Sequence, residues 1–249
     1  MTGGGGEAAW PDPVMTLDHV FVLARPWRVG QSGTRAADEL AAGLEAVGFR
    51  RGSSRRHPGQ GTENRCFAFE GFVLELLAVV CRAEAEDPRV APLSLPARLD
   101  QPGASPFGIA SRPTRAARPD PDYPHVVYRP SYLPPPLGIP VARDVPVSEP
   151  LWFHLPFGTS RSARERYGEP AHPNGARRLG ALALATPAPL GSRSASIAAA
   201  LGIDTRADAD AHRLTLRFEG ETLADDRFEP HARLPLTIDC RRTTPGCAE

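Results

Sequence analysis

Two residues in one short stretch have the types and setting to do chemistry. His57 stands before a glycine-rich turn in HPGQGTEN, and Glu75 lies inside the apolar string FVLELLAVV (Phe72–Val80). A carboxylate in such a string is costly to bury unless something pairs with it. A paired or ligand-facing Glu75 could serve as a general base, and His19, in LDHVFVLA, is a second titratable group on an apolar strand. The competing reading is structural: the imidazole and the carboxylate satisfy each other, or an Arg, inside the core. His57 and Asn64 flank the turn and offer hydrogen bonds to a ligand held over a cleft, although Gly59 and Gly61 equally mark a tight turn. Arg65, Arg55 and Arg56 suit a carboxylate-bearing ligand, since guanidinium pairs bidentately with carboxylate; a solvated edge strand is the alternative.

Other candidates carry less. His154 in LWFHLPF reads as a satisfied buried histidine, and His172 in EPAHPNGA as a further ligand or as a cap on the Asn174-Gly175 turn. His125, His212 and His231 lie beside proline or at strand ends and are expected to face solvent. Phe67, Phe69, Phe72 and Trp152 would line an apolar cleft or pack a core. GTS at 158–160 is not the GxSxG of a serine nucleophile, and GQG lacks the GxxxxGK[ST] frame.

Composition narrows the classes. All 29 basic residues are Arg, so lysine bases, Schiff bases and P-loop lysines are excluded. They balance 29 acidic residues, which leaves no electrostatic footprint for nucleic acid or an anionic membrane. Cys66, Cys81, Cys240 and Cys247 form no CxxC pair or disulfide framework. MTGGGGEAAWPDP does not read as a signal peptide, and no apolar run is long enough to span a bilayer. A cytoplasmic, reducing compartment is the expectation.

The elements that must position these groups read as an α+β chain. After a tail over 1–15, LDHVFVLA is a strand apolar on both parities. Thr34–Phe49 has helical periodicity through Ala37, Leu40, Ala41, Leu44 and Val47, with Gly48 at its end. RRGSSRR, Arg65–Phe69 and Phe72–Val80 follow as strands, making residues 16–80 a βαβββ module. Residues 81–175 are proline-dense, with short strands at PFGIASR, HVVYR, IPVAR and PLWFHLPF. The order returns over 176–242: a strand at Arg177–Ala185, a helix at Ser192–Ile203, then strands at His212–Gly220, Thr222–Phe228 and Leu234–Arg241. Residues 243–249 read as a C-terminal tail.

Two βαβββ units, the first opening with LDHVFVLA and closing with FVLELLAV, resemble the vicinal-oxygen-chelate superfamily, which includes glyoxalase I, extradiol dioxygenases and bleomycin-resistance proteins. HPGQGTENRCFAFEGFVLELLAV, SEPLWFHLPFG and EPAHPNGARRL are similar to its glyoxalase-like branch. The resemblance implies half-barrel modules paired around a cleft, and a divalent metal held by His on a first strand and Glu on a fourth strand, here His19 and Glu75. In the 176–242 unit the matching positions are Ala181 and Thr237, with Asp239 two residues on. Two ligands fall short of the three that catalytic zinc usually takes. The resemblance implies a small-molecule ligand in the inter-module cleft, bound by His57, Asn64, Arg65 and His172, with lyase, isomerase or dioxygenase-type chemistry. The alternatives are a binder that sequesters a toxic compound and a structural partner protein. Two modules in one chain allow a monomer and are equally compatible with a homodimer.

Overall fold

The computed structural model describes residues 15–114, 120–157, 171–207 and 210–243. The N-terminal tail, the GTS at 158–160 and Cys247 lie outside the described residues. Strand β1 (Met15–Leu23) leads to helix α1 (Gly33–Ala46), capped by the Ser32 hydroxyl, which accepts from the Arg35 amide. Ala36, Ala37, Leu40, Ala41 and Leu44 form the helix's buried face. Then come β2 (Arg56–His57), β3 (Thr62–Phe69) and β4 (Phe72–Val79). The expected RRGSSRR strand shrinks to two residues: Asn64 takes both polar groups of the Arg55 backbone, and Arg55 and Arg56 face water.

The proline-dense middle supplies three short helical pieces: α2 (Arg82–Ala85), a 3₁₀ turn (Pro88–Leu93) and α3 (Leu95–Asp100). It also supplies the expected strands, β5 (Phe107–Pro113), β6 (His125–Tyr128), β7 (Ile139–Ala142) and β8 (Leu151–His154). All eight strands join one curled sheet in the order β2-β3-β4-β1-β5-β8-β7-β6. The order has an internal symmetry. β1 runs parallel to β4 and β4 antiparallel to β3; β5 likewise runs parallel to β8 and β8 antiparallel to β7. An antiparallel β1–β5 seam joins the halves.

The half-barrel therefore pairs residues 15–79 with residues 107–154. The 176–242 unit, expected to face the first module, forms a second sheet of its own, in the order β10-β9-β11-β13-β12. Its elements are β9 (Arg178–Thr186), α4 (Ser192–Ala200), β10 (Asp204–Ala207), β11 (Arg213–Gly220), β12 (Asp226–Phe228) and β13 (Leu236–Arg242). β10 escapes sequence reading because all four of its residues are exposed, so it carries no apolar alternation.

Alternation along the curled sheet sorts residues by face. Val20, Val22, Leu74, Leu76, Phe107, Ile109 and Trp152 point outward, into one core shared with α1 and the second sheet. Phe21, Leu77, Ala110, Leu151 and Phe153 point inward, where Ala85, Val90, Leu93 and Leu95 of the short helices plug the barrel. Phe67, Phe69, Phe72 and Trp152 accordingly belong to the outer core, and the cleft-lining alternative for them is dropped. The Phe69 and Phe218 rings stack at 4.1 Å and tie the sheets together. Replacing Phe218 by Ala should cost about 3–5 kcal/mol. Urea unfolding followed by tryptophan fluorescence and by far-ultraviolet circular dichroism should still give one coincident transition; two separated transitions would show that the sheets do not share a core.

Candidate functional site

Inside the curl lies a cavity of about 110 Å³. Most of its polar lining comes from the first module and the turn after β2, with His19, Arg55, His57, Gln60 and Glu75, and the phenols of Tyr128 and Tyr132 join it from the second half. The facing wall is apolar, with Ile139, Leu151, Phe153 and Leu155. No described residue of the 176–242 unit lines it.

β1 and β4 are neighbours with Phe21 opposite Glu75, so His19, two residues back on the same face, lies alongside the acid. The two are 8% and 6% exposed. His19 Nδ1 is 2.8 Å from Asp18 Oδ1, and Arg112 lies 3.3 Å from the same carboxyl group. A carboxylate oxygen only accepts, so the imidazole proton sits on Nδ1, and a neutral ring carries its lone pair on Nε2.

His57 belongs to a longer chain of bonds. Its Nδ1 is 3.0 Å from Thr62 Oγ1, and that hydroxyl accepts from Gln60 Nε2 at 2.7 Å. Gln60 Oε1 in turn accepts the phenols of Tyr128 at 3.1 Å and Tyr132 at 2.9 Å. This chain also closes the barrel, because it links the turn after β2 at one sheet edge to β6 at the other. Burial pushes the His57 pKa down, opposed by the nearby Glu75 charge and reinforced by Arg55 and His19. Burial holds the Tyr128 and Tyr132 phenols protonated.

The turn between these groups is built around glycine. Gly61 has φ +74°, and a Cβ there would stand 2.2 Å from the Cys81 carbonyl oxygen. The amides of Gly59 and Gly61 both donate to Glu84 Oε2, at 2.8 and 3.0 Å. The turn thus uses its own anion-binding amides on a carboxylate of α2.

Of the six expected site residues, His19, Glu75 and His57 line the cavity and three do not. Asn64 is buried, its side chain accepting from the Arg55 amide at 2.8 Å, so it positions the loop. Arg65 binds Asp38 and Glu63, which raises its pKa through those hydrogen bonds. His172 accepts from the Arg50 amide and donates to the Ala68 carbonyl, both at 2.9 Å, using both ring nitrogens on backbone. Gln60, Thr62, Tyr128 and Tyr132 are additions that sequence alone did not single out. His154 lies on the outer face, 2.8 Å from Ser111 Oγ. His212 is buried and donates to the Gly103 carbonyl, and His125 and His231 are half-buried; none of the three faces solvent freely.

A metal fits poorly. The symmetry of the curled sheet puts the second module's counterparts of His19 and Glu75 on β5 and β8. The inward residues there are Gly108 and Ala110, then Leu151 and Phe153, none of them a donor. The Phe153 ring lies edge-on to His19 at 5.2 Å, and Phe21 occupies the space where a Gly108 side chain would extend. Asp239, weighed as a second-unit ligand, is 1% exposed in the other sheet between Arg217 and Arg241, both at 3.0 Å. Among the described residues no three His, Cys, Asp or Glu side chains gather as a metal would need. Among them, too, no helix is long and apolar enough to cross a membrane.

This architecture, a curled eight-stranded sheet of two like halves around an internal cavity, defines the class. Residues 17–120 match the family described as Glyoxalase-like domain. That stretch, less than half of the chain, is what is similar to a glyoxalase-like domain. The whole fold is similar to a hypothetical protein from Staphylococcus aureus, with TM-score 0.55 and 7% identity, covering 92% of this chain and 100% of that one. A xylose isomerase-like TIM barrel/4-hydroxyphenylpyruvate dioxygenase fusion protein matches at TM-score 0.45 and 13% identity, over 88% of this chain and 39% of that one. No curated protein matches the chain.

Burial lowers the pKa values of His57, His172 and His212 below the ordinary 6.5. The unfolded chain therefore takes up protons that the folded chain refuses. Stability is fully present above that ordinary value and is lost as pH falls from it toward the lowered folded values. Urea midpoints should fall between about pH 7.5 and about pH 5.5, and His172→Gln should remove part of that slope. An unchanged slope in His172→Gln would show that this ring is not refusing the proton.

Proposed function

We propose that the protein binds a small organic molecule inside the half-barrel, against one polar and one apolar wall. The observation that carries this reading is the cavity itself: His19, His57 and Glu75 come from the first module, and the phenols of Tyr128 and Tyr132 and a hydrocarbon surface come from the second half. Such convergence of a few polar groups in an apolar pocket is the usual form of a small-molecule site. In the catalytic version, Glu75 and His57 exchange protons with the ligand, as lyase, isomerase or dioxygenase-type chemistry requires. This chemistry uses the side chains alone, because the donors among the described residues fall short of a metal's set.

The apolar second wall favours a second reading, a binder that sequesters its ligand without turning it over. Glu75→Gln separates the two. Turnover should fall by about 10²–10⁴ if the carboxylate moves a proton, whereas retention of a neutral ligand should change little. Fragment binding followed by protein-observed NMR should shift signals of the cavity wall, and Leu133→Trp at the cavity mouth should abolish those shifts. Shifts confined to the second sheet would place the site elsewhere. Divalent ions should leave the melting temperature unchanged, and a clear rise with near-stoichiometric bound metal after purification would restore the metal version.

A further inference from the structure

We infer that the ligand is a small apolar carboxylic acid, held with its carboxylate at the cavity mouth on Arg55. This rests on the half-barrel reading above and adds the ligand's chemical class.

The cavity's charged groups are ordered by depth. Glu75 and His19 are nearly buried, at 6% and 8% exposure, whereas Arg55 is exposed at the rim. The cavity's guanidinium is thus at its rim, and an anionic head placed there keeps its solvation while the ligand's body goes inward. Arg55 is suited to receive it. Its backbone is held from both sides by Asn64, and its guanidinium carbon lies 5.2 Å from the centre of the Tyr132 ring. Tyr132 also packs against His57, with ring centres 5.0 Å apart, so cation, phenol and imidazole form one stack at the opening.

Arg55 differs from its neighbours in what it lacks. Arg51 pairs with Asp38 and Glu45, and Arg65 with Asp38 and Glu63, but no carboxylate among the described residues pairs with Arg55. A guanidinium fixed on an aromatic face, with its hydrogen-bonding edge unclaimed, matches a planar carboxylate. Beyond that head, the ligand's body meets Leu151, Phe153 and Ile139. A cavity of about 110 Å³ suits one aromatic ring or a short chain.

The probes are benzoate, benzyl alcohol and benzylamine, which share a ring and differ in the head. Affinities are read by NMR titration of the full chain. Benzoate should bind about tenfold tighter than benzyl alcohol, the size of one charge-assisted pair at an exposed site. Arg55→Gln should erase that difference, whereas Arg56→Gln, whose side chain does not line the cavity, should preserve it. Arg55 is exposed, so an unchanged melting temperature confirms that the variant folds. Equal binding of acid and alcohol, tighter binding of benzylamine, or an Arg55→Gln protein that still prefers benzoate would overturn the carboxylate class while leaving the cavity reading in place. If none of the three binds the wild-type protein, both readings fall together.

Discussion

The antiparallel seam between β1 and β5 is the contact on which the rest of the site depends. It brings two like half-sheets edge to edge, and its register sets which residues face inward. Phe21 lies opposite Gly108, and a Cβ at that glycine would stand 2.0 Å from the Phe21 ring. The aromatic ring can lie across the seam only because the partner strand has no side chain there. With Phe21 in place, His19 and Glu75 point into the curl, and Val20 and Val22 turn to the outer core. A one-residue slip would exchange those faces and put both ionisable groups into the apolar layer against α1.

Closure at the far edges is made by polar side chains. Gln60 satisfies its carbonyl with two phenols from the second half and its amide with Thr62 from the first, so four buried or half-buried groups satisfy one another. A network of this kind is stabilising only when complete, because each member left alone bears its desolvation cost. Its geometry bears on chemistry as well. It ends at His57 Nδ1, and so orients a cavity imidazole whose pKa burial lowers.

Much of the first half is legible in the sequence. The helix, strands at Arg65–Phe69 and Phe72–Val80 and the inward position of Glu75 follow from apolar periodicity and from an acid in an apolar string, whereas the polar start of β3 at Thr62 does not. The middle is legible only as short strands. Proline density conceals that β5 and β8 repeat the pairing of β1 and β4, because the repeat lies in the hydrogen-bond pattern and not in apolar periodicity. The 176–242 unit misleads for the opposite reason: it keeps strand, helix, strands in order, yet its strands pair among themselves. His172 misleads because a histidine in a polar turn looks like a ligand until both ring nitrogens are found on backbone partners. Gln60 is missed because an amide's value here lies in long-range partners, the phenols of Tyr128 and Tyr132.

The role of the third unit follows from covering the sheet's outer face. Over the first half, α1 packs on β3 and β4. Over the second half, Phe107, Ile109 and Trp152 would be exposed without a cover. Leu182, Leu184, Ile197 and Leu216 of the third unit join them in one core, and Trp152 Nε1 donates to Ser194 Oγ on α4 at 2.9 Å. The second sheet therefore does for β5 and β8 what a crossover helix does for β4. The outer layer of the second half is thus supplied by a separate unit, while the inward residues of β8, Leu151 and Phe153, are both apolar. The asymmetry of the cavity, with the imidazoles and the carboxylate on the first half and only phenols and hydrocarbon on the second, thus comes from two halves that share a pairing scheme but carry different inward side chains.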